Sequence, residues 1–375
     1  MTAAALLAAS FFVFWLYRLL TVRYALENVR YRCGFSLREA TEGDELWLEE
    51  TVENRKTLPL QWLKVHIPTS RYLEFARTRS VVAQDKRYVD SSFTLHGFEK
   101  ITRRWKVRCL KRGVFTIKQV SLVGGALALP ALKSTPITTD AEIIVYPASL
   151  EPDKWLKPVS PVSGAQPMQR FILEDPFLVA GAKEYQSSDP LNRIHWNATA
   201  EAGKLMTRKN EYTTDTNVLV VLNIRSREAE SIEVLDPETA EKGIRVAAGL
   251  FRRALAEGVM IGLATNGRTE NGNDIFVSPV LSGFNHVREL LTDLARIRLE
   301  AKVGLTELLL ALSRESAGLE LVVITSYAGS ALQDAVWDIR KSTARIRFVF
   351  TKACVIPVEL YQLASVYVLD EDIKL

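Results

Sequence analysis

The side chains best suited to bond-making chemistry are few and scattered in this 375-residue chain. Cys33, Cys109 and Cys354 lie far apart and form no CxxC pair. A zinc site or a disulfide framework needs more ligands at closer spacing, so free thiols in a reducing compartment are expected. His66 and His96 fall in segments of alternating polarity with no second ligand at metal spacing, and neither is given a role. His195 stands beside Trp196, but a hydrolase would need a nucleophile and an orienting acid that linear sequence cannot place there. The sequence contains no GxxxxGKS or GxxxxGKT phosphate loop, no HExxH, no GxSxG and no Rossmann glycine fingerprint. The chain is therefore expected to be non-enzymatic, with no cofactor and no bound metal.

Charged and aromatic side chains mix most densely at 175–212, DPFLVAGAKEYQSSDPLNRIHWNATAEAGKLMTRKNEY. Asp189 and Pro190 read as the N-cap and first residue of a helix. Leu191, Ile194 and Ala198 then share one face, and Gly203 ends it. LMTR follows as a short strand. Gly181 precedes a charged turn at Lys183, Glu184 and Tyr185. The stretch mixes Arg193, Trp196 and Arg208 with Glu184, Asp189 and Glu211, which suits ion pairs bracing a turn. Breaking one such pair, if buried, costs about 3–5 kcal/mol.

The elements that must position this stretch follow from pattern. Ala3 to Leu16 is almost wholly apolar, Arg18 interrupts the run, and a helix from Ala3 to Val22 reaches about the 20 residues of a membrane span. Trp15, Tyr17 and Arg18 supply interfacial anchors at one end. Arg18, Arg23, Arg30 and Arg32 follow the segment and none precedes it, so the remainder is expected on the cytoplasmic side. Alternating runs such as ELWLEETVEN, WLKVHI and WKVRCL, separated by turn residues, predict an all-β immunoglobulin-like sandwich over 30–150. A proline-rich connector leads through the charged stretch to 217. From 218 onward the continuous apolar run VLVVL and the further strand segments VMIGLA, LELVVIT and IRFVF alternate with amphipathic helices, the pattern of a doubly wound α/β sheet. The expected divisions are an anchor at 1–24, the sandwich at 30–150, the connector at 151–217 and the α/β domain at 218–375. A net charge of +4 with no basic run interleaved with aromatics gives no reason to expect nucleic-acid binding.

Gly181, Lys183, Glu184 and Tyr185, then Ser188 and Asp189, then Arg193, Ile194 and Trp196, and finally Leu205 and Arg208 together resemble the signature of the DUF58 family. The upstream RCLKRGVFTI and VYP segments and the apolar N-terminus are similar to that family too. Family members often begin with two membrane helices, where this chain offers one apolar run. The resemblance implies a C-terminal von Willebrand factor A-like fold, in which a metal motif Asp-x-Ser-x-Ser follows the first strand. The matching positions are Asn223, Arg225 and Arg227. An amide and two guanidinium groups suit no dication, so a degenerate metal site is expected, with the arginines as solvated loop residues in preference to an anion receptor. The resemblance also implies a MoxR-type AAA+ ATPase as partner. The expected function is a membrane-anchored adaptor on the lipid bilayer, serving other envelope proteins in complex assembly or maturation. The alternative is an extracytoplasmic protein-binding module of reversed topology.

Overall fold

A computed structural model describes residues 9–12, 15–16, 24–76, 80–125, 132–151, 156–158, 179–185, 194, 196–210, 217–269, 272–313, 316–329, 331–343 and 345–369. The chain divides into two compact units, Met1–Ala148 and Ser149–Leu375.

The first unit is built of strands. One sheet has the order β1 (Val29–Phe35), β3 (Glu45–Asn54), β8 (Lys100–Cys109), β5 (Leu73–Phe75), antiparallel throughout. The other runs β2 (Glu39–Thr41), β10 (Leu132–Tyr146), β9 (Gly113–Gly125), β4 (Leu60–Ser70), β7 (Lys86–Leu95), β6 (Ser80–Ala83), with only the β2–β10 pair parallel. Strict alternation explains the register. In β3 the side chains of Leu46, Leu48, Val52 and Asn54 are buried, while Trp47 and Glu49 face outward. A one-residue slip would turn the whole apolar row to water. Leu48 and Val107 of the first sheet share one core with Leu63, Ile67, Phe93 and Ile143 of the second.

The second unit is organised round a seven-stranded sheet. Its order is β11 (Leu156–Pro158), β19 (Ser365–Leu369), β18 (Arg345–Phe350), β17 (Glu320–Thr325), β14 (Val218–Leu222), β15 (Ile261–Thr265), β16 (Phe276–Val277). The five inner strands are parallel and the two edge strands antiparallel. All five residues of β14 and all six of β17 are buried, as strands covered on both faces must be. A two-stranded ribbon, β12 (Val179–Glu184) with β13 (Met206–Asn210), and the short helix α1 (Trp196–Ala202) lie in the chain between β11 and β14. Helices α2 (Pro237–Glu257), α3 (Phe284–Arg296), α4 (Leu305–Leu312), α5 (Leu332–Arg340) and α6 (Leu360–Leu363) alternate with its strands.

Leu219, Val221, Leu321 and Val323 pack with Leu308 and Leu309 of α4 and with Val336 and Ile339 of α5. The intervening side chains turn the other way: Gly243 of α2 lies against Leu222 and Ile324. Helix α2 begins at the N-cap Asp236 and stops at Gly258, which takes the left-handed φ of 73° that a Cβ would disfavour. Gly249 on the same helix admits the backbone of Leu150; a Cβ there would lie 1.8 Å from the Leu150 carbonyl oxygen.

The structure corrects the fold expected from the sequence. The expectation was a transmembrane helix, then an immunoglobulin-like sandwich, then a von Willebrand factor A-like doubly wound sheet. The chain is instead largely β-strand, in sheets of four, six and seven strands with a two-stranded ribbon. Among the described residues no helix is long and apolar enough to cross a membrane. Of Ala3–Val22, only 9–12 and 15–16 are described, as helix. A span needs about 20 residues of apolar helix. The 21-residue helix α2 reaches that length but carries charged residues on one side and packs its apolar side on the sheet.

Candidate functional site

In open parallel sheets, ligands bind at the carboxyl ends of the strands, in the crevice where successive connections leave in opposite directions. Here the chain passes from β14 to β15 on one side and later from β17 to β18 on the other, so the crevice lies between β14 and β17. Asn223, directly after β14, closes it. Its backbone N–H donates to the Ile324 carbonyl at 2.9 Å. Its side-chain amide donates to Thr325 Oγ1 at 3.0 Å. The Asn223 Oδ1 accepts from Asn266 Nδ2 at 2.7 Å and from the Arg225 backbone N–H at 3.3 Å. Asn266, beyond the end of β15, also donates to the Val303 carbonyl at 2.8 Å and accepts from the Ile224 N–H at 3.0 Å. Thr325 Oγ1 donates in turn to the Tyr327 carbonyl at 3.1 Å.

Arg225 extends this network sideways. Its guanidinium donates to the carbonyls of Lys302 at 2.7 Å, Ala301 at 3.3 Å and Glu228 at 3.4 Å. Its own carbonyl accepts from Ser326 Oγ at 3.0 Å. The half-buried arginine therefore ties its loop to the one following α3, while Arg227 is exposed. The donor set does not fit the divalent ion that the family's expected fold would imply. Asn223 Oδ1 already accepts two N–H groups, Thr325 Oγ1 is engaged, and the residue two positions on is the cationic Arg225.

The loop from Ile224 to Asp236 is held from within. Glu230, buried, accepts from the Ser226 N–H at 2.7 Å, from Ser226 Oγ at 2.6 Å and from the Leu235 N–H. Asp236 caps α2 through Thr239, whose N–H and hydroxyl lie 3.1 and 2.6 Å from its carboxylate oxygens. Yet this braced loop presents Ile232 and Leu235 to solvent, at 48% and 62% exposure. A residue just before an N-cap often packs on the fourth helical residue, but that residue is Ala240, too short to cover Leu235. The loop after β18, at the same end of the sheet, exposes Val355 and Val358. Lys352 of that loop pairs with Asp236 at 3.7 Å and ties the two loops together.

The signature stretch is only partly described. Gly181, Lys183 and Glu184 belong to β12, so the first two residues of the turn expected at 183–185 are strand, paired with β13: Lys183 stands opposite Thr207 and Glu184 opposite Met206. Arg208 lies in β13 opposite Ala182. Glu184 pairs with Lys204 at 2.9 Å, an exposed bridge. The Tyr185 N–H donates to the Leu205 carbonyl at 2.9 Å. Trp196 opens α1 with 69% exposure, and Ile194 is buried. Asp189, Arg193 and His195, with the helix start at Pro190, lie outside the described residues. The three cysteines are free thiols, and burial pushes each of them up, Cys109 to about 11.

Fold and site together define a β-rich protein of two units, the second an α/β unit whose carboxyl edge is closed by its own side chains. A family model described as "Protein of unknown function DUF58" matches residues 181–362, which include every residue of the closed edge and both exposed loops. The uncharacterized protein YeaD of Bacillus subtilis (strain 168) is 22% identical over 290 residues, 76% of this chain and 67% of its own. Among solved structures, the chain is similar to a CARDB domain from Pyrococcus furiosus (10% identity, 30% of this chain and 90% of that one, TM-score 0.19). It is also similar to a non-cellulosomal cohesin from Archaeoglobus fulgidus (11% identity, 32% and 92%, TM-score 0.20). Similarities of this size carry no argument about fold or function.

Proposed function

We propose that this protein is a non-enzymatic adaptor whose α/β unit binds another protein through its carboxyl edge. The observation that carries the reading is a contrast within one loop. Residues 224–236 are fixed by buried hydrogen bonds, yet they hold Ile232 and Leu235 in water. Rigid display of large apolar side chains favours association, since little entropy is lost when the partner covers them. The crevice where a substrate would sit is filled by Asn223, Thr325 and Asn266, which favours surface binding over turnover.

The partner we assign is a MoxR-type AAA+ ATPase acting in assembly or maturation of envelope complexes, on the family resemblance of the signature stretch. Affinity capture from cells tests this. Wild-type protein is expected to recover the ATPase, and the variants Leu235→Asp and Val355→Asp are expected to lose at least tenfold in recovery with unchanged thermal unfolding. Failure to recover an AAA+ protein, or equal recovery by both variants, would overturn the assignment.

A further inference from the structure

The β-sandwich core contains a carboxylate. Glu50 sits on the inward row of β3 between Leu48 and Val52, with 0% exposure. Its neighbours are neutral donors on three other strands. Ser91 Oγ of β7 lies 2.7 Å from Oε1 and 2.9 Å from Oε2. The Trp105 indole N–H of β8 donates to Oε2 at 3.0 Å, and the Tyr31 hydroxyl of β1 donates to Oε1 at 3.3 Å. Strands β1, β3 and β8 belong to the four-stranded sheet and β7 to the six-stranded one. Glu50 and Ser91 therefore form a polar tie between the sheets.

No bonded cation balances the carboxylate among the described residues. Arg103 of β8 is the nearby charge, but its guanidinium lies over the rings of Phe93 and Trp105, 4.3 and 5.4 Å from their centroids, and donates to the Ser92 carbonyl at 3.0 Å. Tyr31 and Cys33 of β1 are the other titratable groups, and burial pushes both up, so neither supplies a charge. The inward side chains Leu63, Val65 and Ile67 of β4 and Ile117 and Leu122 of β9 are apolar.

We propose that Glu50 is a proton-operated latch: its protonated form closes the tie between the two sheets, and loss of the proton from this dry site loosens it. The indole N–H can only donate, so Oε2 remains an acceptor and the proton belongs on Oε1. There the hydroxyl oxygen of Ser91, 2.7 Å away, can turn to accept it in place of donating. Burial raises the Glu50 carboxyl against the opposing pull of Ser91, Trp105, Arg103 and Tyr31. The native state thus holds the proton more tightly than the unfolded chain does. Stability is full below about pH 4.3, the ordinary value for glutamate, and falls as pH rises from there through the raised native value.

Infrared titration of the full chain, with Glu50→Gln identifying the band, tests the latch. A protonated carboxyl stretch from Glu50 is expected to persist after the exposed carboxyls have ionised, and Trp105→Phe is expected to shift its frequency. Denaturant midpoints are expected to fall with pH in the wild type across that window and to fall less steeply in Glu50→Gln, where the half-buried Asp293 carboxyl still contributes. If Glu50→Gln does not fold, the wild-type and Trp105→Phe spectra decide. A Glu50 band lost together with the exposed carboxyls, or parallel midpoint curves, would refute the proposal.

Discussion

Arg225 shows how one side chain can change what a sheet edge is for. A guanidinium with five donors in a fixed fork can serve several carbonyls at once, and here it serves Ala301, Lys302 and Glu228. Its charge is spent on protein backbone, leaving exposed Arg227 as the freer of the two. Replacing Arg225 with Met should leave those carbonyls without the donor and lower stability by about 1–2 kcal/mol, discounted for its partial exposure. Lysine should restore little, because an ammonium cannot span three acceptors in two loops. Urea unfolding of Arg225→Met and Arg225→Lys measures both; a lysine variant as stable as wild type would contradict the fork. The sequence shows Asn223, Arg225 and Arg227 as a departure from a metal motif. It cannot show their partners. The amide contacts join residues 102 and 43 positions apart, and no local pattern records a pairing of that range.

At the scale of elements, the start of α2 sets the exposed face. Asp236 fixes the first turn, orients Leu235 just ahead of it and reaches Lys352 in the neighbouring loop. Burial alone would raise its carboxyl, but the bonds from Thr239 and the Lys352 ammonium outweigh it and hold the group below the usual range. A lowered native value means the contribution is present above about pH 3.9 and disappears as pH falls through that native value. Asp236→Ala should cost about 1 kcal/mol at neutral pH and flatten this acid limb. Denaturation midpoints between pH 2 and 7 test it; an unchanged acid limb would contradict the assigned role. This helix was legible, since Asp236, Pro237 and Gly258 are punctuation that acts locally. So was β14, whose run VLVVL is apolar because water reaches neither face, and so was β18, whose buried run IRFVF is apolar except for Arg347, paired with Glu320 of β17. The segment Ala3–Val22 was readable only as composition: among the described residues no helix is long and apolar enough to cross a membrane.

Across the whole molecule, each unit is organised round its own core: one contains Leu48, Ile67 and Ile143, the other Val221, Val323 and Phe348. The alternation that reveals each strand of the first unit does not reveal its neighbours. β3 pairs with β1 and with distant β8, and that order follows from matching apolar rows in three dimensions. The displayed apolar residues were missed in sequence for a similar reason, because Leu235 and Val355 look like any other aliphatic side chains until the helix and loop beneath them leave them uncovered. Association through the carboxyl edge of the second unit is the claim on which the functional reading turns. Hydrogen–deuterium exchange of the full chain, alone and with a MoxR-type AAA+ ATPase, measures it directly. Slower exchange is expected in 224–236 and 351–359 together, with the sandwich strands unchanged. An unchanged pattern, or protection confined to the first unit, would contradict it.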